Sequence, residues 1–300
     1  MGIADRGYIQ QRGAGSMFQP KPGSANTWLI VATSIVFVLQ QTLVVNLPGG
    51  GRDLLLNNYG AFNSAQGFLG LEVWRFVSFQ FLHANLAHIF FNMFGLYMFG
   101  RIVEDHLGGK RYIAFYLTCG IFGAILYLIL NLIGHLARQT FGFEGIPGVL
   151  YHDPRTPLIG ASAGVFGVLM ACAYLEPRST VILLFPPIPL RISWLAYGYV
   201  AIAVFNLLMG GQNAGGDAAH VGGAIAGYYF IRRPYHLRDF FEVIQNSNKA
   251  PRRGGGVSEA EISRILGKVR EFGPGALTQR ERETLHRATE EFRARERYPA

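Results

Sequence analysis

Charged residues are scarce in this sequence, and those present are unevenly placed. Asp, Glu, Lys and Arg together make up 15% of the 300 residues, against roughly 25% in an ordinary soluble domain. The charges crowd toward the C-terminal end, and half of the chain is hydrophobic. This composition excludes a conventional soluble fold for most of the chain and predicts an integral membrane protein.

Cysteine is also rare, and no targeting segment stands out. The two cysteines, Cys119 and Cys172, lie inside apolar runs, so no disulfide framework is expected. Residues 1–26 are polar and rich in glycine, and the apolar run that follows is long enough to span a bilayer, so no cleavable signal peptide is expected. The net charge of +8 comes from basic residues that flank the apolar runs. This placement predicts a lipid bilayer as the partner and no nucleic acid.

Six apolar runs are candidates for membrane-spanning helices. A helix needs roughly 20 apolar residues to cross a hydrocarbon core of about 30 Å. Lysine and arginine are concentrated in both tails and in the second and fourth loops, which predicts that both termini are cytoplasmic. The expected fold class is therefore all-α, a six-transmembrane-helix bundle. The predicted spans cover residues 27–47, 84–103, 112–134, 160–175, 192–210 and 217–231.

The apolar runs divide the chain into four predicted regions. They are a cytoplasmic N-terminal tail (1–26), the six-span domain (27–233), a linker (234–257) and a small soluble helical appendage (258–300). Two capping boxes in the appendage, Ser258–Glu261 and Thr278–Glu281, each precede apolar residues at helical spacing. The appendage is either a module for an unknown cytoplasmic partner or a solvated extension, and the first interpretation is favoured.

Two connecting segments differ from ordinary polar loops. The first loop, residues 48–82, is rich in aliphatic and aromatic residues and includes Trp74 beside Arg75. This content is typical of a segment that lies in the membrane interface. Residues 181–190 contain three prolines and cannot form a helix interior, so a short cytoplasmic connector is expected there.

Ser162 and His220 stand out because they lie inside predicted spans. Ser162 is the serine of a G-x-S-x-G pattern over residues 160–164, and His220 follows two alanines. Serine and histidine are the minimum parts of a nucleophile with its base, and an ionisable residue in a membrane span indicates a functional site by default. No strand precedes the pattern, which argues against a soluble α/β hydrolase.

Positions along the spans place three polar residues at one depth. Ser162, His220 and Asn92 precede the charges at the inner ends of their spans by 12 to 14 residues, which is about 18–21 Å of helix. His88 lies four residues before Asn92 and shares its helix face. Both side chains can donate hydrogen bonds, as the oxyanion formed by serine attack requires.

Glycines are placed where two of these spans would have to approach each other. Small residues let helix backbones come close together in a membrane. Such an approach is needed if a serine and a histidine on different helices are to hydrogen bond. The glycines expected to support the pair are Gly160, Gly164, Gly167, Gly223 and Gly227.

Less specific interpretations of these residues also exist. A serine in a membrane helix is usually a packing residue, and a lone histidine can be a proton relay or a metal ligand. A zinc site is not expected, because His83, His88 and His106 show neither H-x-x-x-H nor H-E-x-x-H spacing and no acidic ligand is recognised near them. His83 is expected to orient the loop before the second span.

Taken together, the motifs resemble the rhomboid family of intramembrane serine proteases. The resemblance covers about residues 70–235, and the six-span layout extends it to residue 27. Two residues depart mildly from the family pattern. Ala163 stands where many relatives have glycine, and Phe166 stands where tyrosine is also found, with its ring expected to pack on His220. The matching motifs are Trp74-Arg75, His88-x-x-x-Asn92, Gly100 through Glu104 to Gly108, Gly160-Ala161-Ser162, and Ala219-His220 with Gly223 and Gly227.

The resemblance implies a catalytic dyad and not a triad, and it implies no metal or organic cofactor. Ser162 would attack the scissile carbonyl and His220 would carry the proton, while Asn92, His88 and the Ser162 backbone N–H would hold the oxyanion. Substrates would be single-span or other transmembrane proteins cut near the outer end of a span, and a bacterial plasma membrane is the expected location. The alternatives are a catalytically inactive rhomboid-like protein that binds membrane spans for quality control, and a transporter.

Overall fold

A computed structural model of the protein describes residues 23–46, 52–143, 146–151, 153–183, 187–237 and 259–297. The chain divides into two compact units, residues 1–243 and 244–300. Residues 1–22 of the predicted tail, 238–257 of the predicted linker, and Ser258 of the first predicted capping box lie outside the described residues.

The first unit is a helical bundle with two short hairpins. Its α-helices and strands, in chain order, are α1 Ala25–Thr42, β1 Val44–Asn46, β2 Arg52–Leu54, α2 Leu55–Gly60, α3 Arg75–Ser78, α4 Leu86–Gly95, α5 Arg101–Leu107, α6 Gly109–Phe141, α7 Ser162–Leu175, β3 Thr180–Ile182, β4 Pro189–Arg191, α8 Ile192–Met209 and α9 Ala214–Arg232. A π-helical turn, Leu96–Gly100, joins α4 to α5 without a break.

The long helices occupy the regions predicted as spans. Within the described residues, 86–107, 109–141 and 192–209 are long and apolar enough to cross a membrane, and α7 is apolar but shorter. The prediction of a mostly helical protein with several membrane-type helices is therefore confirmed. The count of six spans and the side of the termini stay predictions.

Helix boundaries differ most from the predicted spans at the ends of the first and third spans. The first helix stops at Thr42, before residue 47, because residues 44–46 pair with 52–54 in an antiparallel hairpin. Helix α6 continues to Phe141 and ends where Gly142 adopts a left-handed conformation with φ of 66°, which glycine adopts without steric cost.

The structure contains two short β-hairpins that the predicted all-α fold did not include. One is the hairpin β1–β2, and the other is the hairpin β3–β4, in which Val181 pairs with Leu190. The second hairpin occupies the proline-containing connector. Strands of three residues are too short to show a two-residue alternation of polarity, so the sequence pattern gave no signal for them.

Helix α9 is the central element of the bundle. It packs most extensively against α7 and α6, and then against α8.

Glu104 of α5 contacts the start of α1. It accepts hydrogen bonds from the backbone N–H groups of Ala25 and Asn26, at 2.7 and 3.2 Å. A carboxylate at a helix N-terminus is favoured by the helix dipole, so Glu104 caps α1 and ties it to the α5 region.

The first loop is a packed part of the core and not only a surface segment. Phe62 and Phe79 are buried there. Arg75 is 1% exposed and donates hydrogen bonds to the backbone carbonyls of Ala61 and Asn58, at 2.6 and 2.7 Å. It also pairs with Glu72 at 2.6 Å. Arg75 is therefore an internal brace of the loop, whereas the neighbouring Phe68, Leu69, Leu71, Val73 and Trp74 are exposed.

The second unit is a pair of helices, α10 Glu259–Phe272 and α11 Gln279–Arg297, joined by a 3₁₀ turn at Pro274–Ala276. The second predicted capping box is present at the start of α11. The backbone N–H of Thr278 donates to Glu281 Oε2 at 3.0 Å, and the N–H of Glu281 donates to Thr278 Oγ1 at 3.3 Å. Ile265 of α10 is buried.

Candidate active site

Ser162 and His220 are adjacent in the structure. Ser162 is the first residue of α7 and His220 lies in the second turn of α9. Ser162 Oγ lies 2.8 Å from His220 Nε2, within the reach expected of a nucleophile and its base. The ring of Phe166, one turn further along α7, stacks on the imidazole at 4.3 Å between centroids and 3° between planes. The stacked ring limits the imidazole to one plane.

Glycines on α9 bring the two helices together. A side-chain carbon added at Gly223 would meet the backbone of Ala163, including its carbonyl oxygen, and one added at Gly227 would meet the backbone of Gly167. The helices therefore touch backbone to backbone, as small residues allow in membrane helix pairs. Gly164 and Gly167 also face α6, where Tyr116 and Cys119 fill the space that a side chain would need.

The segment before Ser162 is extended and is held by the first loop. Leu158 exchanges two backbone hydrogen bonds with Phe62, the N–H of Gly160 donates to the Phe79 carbonyl at 3.0 Å, and the N–H of Ala161 donates to His83 Nε2 at 3.4 Å. Irregular backbone at membrane depth is tolerated only where protein satisfies it. The loop thus fixes the start of α7, and with it the Ser162 backbone N–H, which has no partner within the helix.

Gly160 leaves room for His88 opposite Ser162. Its φ is +132°, in a region that side-chain-bearing residues rarely adopt. A carbon added at Gly160 would lie 2.8 Å from His88 Nε2 and 3.6 Å from Ser162 Oγ. Gly160 therefore supports the site by admitting the His88 ring and does not take part in the contact between α7 and α9.

His88 and Asn92 present hydrogen-bond donors to the same space. The N–H of Ala84 donates to His88 Nδ1 at 3.4 Å, which assigns the ring proton of a neutral His88 to Nε2, the atom that faces Gly160. Asn92 uses one amide hydrogen to donate to the His88 carbonyl at 2.9 Å, and its second amide hydrogen remains available.

His83 does not belong to this group of hydrogen-bond donors, and its ring instead contacts the backbone of Ala161. Gln40 binds it from α1: the His83 N–H donates to Gln40 Oε1 and Gln40 Nε2 donates to the His83 carbonyl, both at 3.0 Å. Burial, with a smaller contribution from His88, lowers the pKa of His83 to about 4. A neutral His83 can accept the hydrogen bond from Ala161, so the predicted role in orienting this region has a structural basis.

Sequence analysis did not identify Asp217, which lies beside the pair. Its Oδ1 is 3.5 Å from His220 Nδ1, and its side chain is 8% exposed. A signal was available, because residues three apart share a helix face and Asp217 lies three positions before His220. No role was predicted for Asp217, because the family resemblance implies a dyad without a third member.

Ser162, His220, His88 and Asn92 line one cavity of about 1050 Å³. Apolar side chains of α4 and α8, including Phe91, Phe94 and Leu195, form other parts of its wall. Polar residues of two loops, Thr156, Gln212 and Asn213, also border it. Among the described residues, no group of three histidine, cysteine, aspartate or glutamate side chains is arranged to hold a metal ion.

Comparison with known proteins gives the family. The Rhomboid domain family model matches residues 70–233, and the chain therefore belongs to the rhomboid family. It is 28% identical over 198 residues to the mitochondrial RHOMBOID-like protein 12 of Arabidopsis thaliana, which covers 65% of this chain and 54% of that protein.

Two bacterial relatives are named as proteases. Rhomboid protease AarA of Providencia stuartii is 28% identical over 228 residues, covering 71% of this chain and 75% of that protein. Rhomboid protease GluP of Bacillus subtilis is 26% identical over 208 residues, covering 68% of this chain and 33% of that protein. The aligned region is thus about half of the Arabidopsis relative and a third of the Bacillus one.

Proposed function

We propose that the protein is an intramembrane serine endopeptidase that cleaves transmembrane proteins with Ser162 as nucleophile and His220 as general base. The observation that carries this proposal is the 2.8 Å separation of Ser162 Oγ and His220 Nε2 inside a cavity with an apolar wall. Family membership and the two relatives named as proteases support it.

The proposed reaction follows the geometry. Ser162 Oγ attacks the scissile carbonyl carbon while its proton moves to His220 Nε2, and His220 then gives that proton to the leaving amine. The oxyanion accepts hydrogen bonds from the Ser162 backbone N–H, Asn92 Nδ2 and His88 Nε2. Water then attacks the acyl-enzyme, with His220 again as base.

The substrate class follows from the cavity walls. The apolar side chains of α4 and α8 suit a membrane-spanning segment, and the polar loop residues offer a path for water. We infer six spans with both termini in the cytoplasm, which places Ser162 nearer the outer surface and cleavage near the outer end of the substrate span. The chain's relatives include mitochondrial and bacterial proteins, and a bacterial plasma membrane stays a prediction.

Two other functions are less well supported. An inactive rhomboid-like binding protein has no need of an intact pair, whereas here the serine and histidine are present at 2.8 Å. A transporter would keep its activity without Ser162.

The C-terminal helices are proposed to be a binding module for a cytoplasmic partner.

Co-expression with a tagged single-span reporter tests the proposal. Wild type is expected to cut the reporter, and Ser162→Ala and His220→Ala are expected to lose cleavage by at least about 10³-fold. The matched controls are Ser34→Ala, whose hydroxyl only bonds the Ile30 carbonyl of its own helix, and His106→Ala, which is exposed. Both controls should cleave as wild type does. Cleavage that survives in Ser162→Ala would overturn the proposal.

The oxyanion assignment is tested with purified protein and the same reporter in proteoliposomes, where kcat and KM can be measured. Asn92→Ala is expected to lower kcat by about 10²-fold with little change in KM, because the lost donor acts on charge that develops in the transition state. An unchanged kcat in Asn92→Ala would remove Asn92 from this role.

A further inference from the structure

Asp217 is a buried carboxylate with an incomplete set of partners. It lies on the same helix face as His220, three residues earlier, with Oδ1 at 3.5 Å from His220 Nδ1. Its Oδ2 is buried and has no hydrogen-bond partner among the residues that the structure describes. Burying a carboxylate is costly unless a partner compensates for the lost water, and the partner found here is the imidazole of the proposed base.

A purely structural role explains only part of this arrangement. Asp217 lies in the first turn of α9, where the helix dipole favours a negative charge. Its backbone N–H donates to the Asn213 carbonyl. The dipole lowers the cost of burial but does not require that a carboxylate oxygen point at His220 Nδ1.

The surroundings of His220 leave Asp217 as the acidic group that faces it within the described part of the chain. Ser162 and Phe166 face the ring from α7, and His88 of α4 lines the same cavity. None of these three carries a negative charge in the resting site. Ser162 occupies Nε2, so the remaining ring nitrogen, Nδ1, is the one turned to Asp217.

We propose that Asp217 is a positioning residue for His220. It accepts a hydrogen bond from Nδ1–H and so holds the tautomer in which Nε2 is free to take the Ser162 proton. When that proton moves to Nε2, the ring becomes an imidazolium, and the Asp217 carboxylate faces the new positive charge. Asp217 itself takes no proton, and the imidazolium gives its proton to the leaving amine. A separation of 3.5 Å in the absence of substrate is compatible with this role, because such contacts tighten when substrate binds.

This inference rests on the proposed protease function and is tested with the full-length protein. The assay uses purified protein in proteoliposomes with a single-span reporter and measures kcat, KM and the acid limb of kcat/KM. Asp217→Asn is nearly isosteric and keeps an acceptor but loses the charge, while Asp217→Ala loses both. Asp105→Asn, an exposed acid in α5, is the matched control, and thermal unfolding is measured for every variant.

The expected result separates positioning from structure. Asp217→Asn should lower kcat at least about 10-fold with KM unchanged, and Asp217→Ala should lower it further. The acid limb should move to lower pH in Asp217→Asn, because the carboxylate no longer favours the imidazolium. Asp105→Asn should match wild type in both respects.

Three results would overturn the inference, and they are distinguishable. If wild type cleaves and Asp217→Asn has the same kcat and acid limb, Asp217 has no positioning role, and the protease proposal stands. The same conclusion follows if Asp217→Asn loses activity only in proportion to its folded fraction. If wild type does not cleave the reporter and Ser162 is unreactive, both proposals fail.

Discussion

Two helix pairs in this protein are held together in opposite ways. In the first unit, α7 and α9 touch through glycine: Gly223 and Gly227 lie against the backbone of Ala163 and Gly167. In the second unit, α10 and α11 are joined by charge, since Glu281 accepts a hydrogen bond from Lys268 at 2.9 Å and pairs with Arg264 at 3.4 Å.

The difference follows from the surroundings of each pair. Apolar surface gains little by moving from lipid to protein, so helices in a membrane associate through close packing. The exposed helices of the second unit combine a buried Ile265 with charge-assisted hydrogen bonds. Backbone contact sets the distance between Ser162 and His220 without flexible side chains, whereas the α10–α11 contact depends on the ionisation of Glu281.

The largest expected effect comes from breaking the glycine contact. Gly223→Ala places a methyl group against the Ala163 carbonyl and should destabilise the bundle by about 1–3 kcal/mol. The shift of α9 should also lower cleavage by about 10²-fold, because His220 moves away from Ser162. Thermal unfolding and reporter cleavage measure the two effects.

Gly198→Ala is the control for that change. A carbon at Gly198 on α8 meets nothing within 4 Å, so stability and cleavage should stay at the wild-type level. Equal losses of stability and cleavage in Gly223→Ala and Gly198→Ala would contradict a close backbone contact between α7 and α9.

A smaller effect is expected where α7 begins. Gly160→Ala forces a strained φ and pushes a methyl group against His88, which should cost about 1–3 kcal/mol of stability. Displacing His88 should lower kcat by about 10-fold or more. Thermal unfolding followed by circular dichroism measures the loss of stability, and steady-state kinetics measure the decrease in kcat.

Gly210→Ala separates strain from displacement. Gly210 has a φ of +67° and nothing within 4 Å of an added carbon, so this variant should lose stability while kcat is kept. If Gly160→Ala also keeps its kcat, His88 does not need its present position.

The smallest effect concerns the α10–α11 pair and is dependent on pH. Hydrogen bonds from Thr278 and then Lys268 lower the pKa of Glu281 from 4.5 to about 2. A lowered folded-state pKa means that the stabilisation is fully present above about pH 4.5 and is lost as the pH falls toward 2. Protection of α10 and α11 amides in the full-length protein, measured by hydrogen exchange and corrected for intrinsic rates, should therefore fall between pH 5 and 2.5.

Glu281→Gln provides the comparison. It should lower protection at pH 5 and flatten the dependence on pH, because no carboxylate remains to titrate. Parallel curves for wild type and Glu281→Gln would assign the acid sensitivity to another group.

The sequence predicted the helical regions and the site residues for separate reasons. Long apolar runs revealed the helices, and the common depth of Ser162, His220 and Asn92 brought residues far apart in sequence to one level. The Thr278–Glu281 capping box was readable because its contacts span three residues.

The rest depended on tertiary structure or on a missed pattern. Arg75 can be buried because the backbone carbonyls of Asn58 and Ala61 accept its hydrogen bonds. No local sequence pattern indicates these contacts. The room that Gly160 leaves for His88 likewise requires the two segments to be placed in space. Asp217 was detectable from its spacing to His220, but a dyad without a third member was expected from the family resemblance.

Labelling with a serine-reactive fluorophosphonate tests the central claim most directly, because it requires no substrate. The purified protein in detergent is treated with the probe, and the modified peptide is identified by mass spectrometry. The account predicts modification at Ser162 in wild type, none in Ser162→Ala, and a strongly reduced rate in His220→Ala, with Ser34→Ala labelled as wild type is. Modification of a different serine, or equal labelling of wild type and His220→Ala, would contradict it.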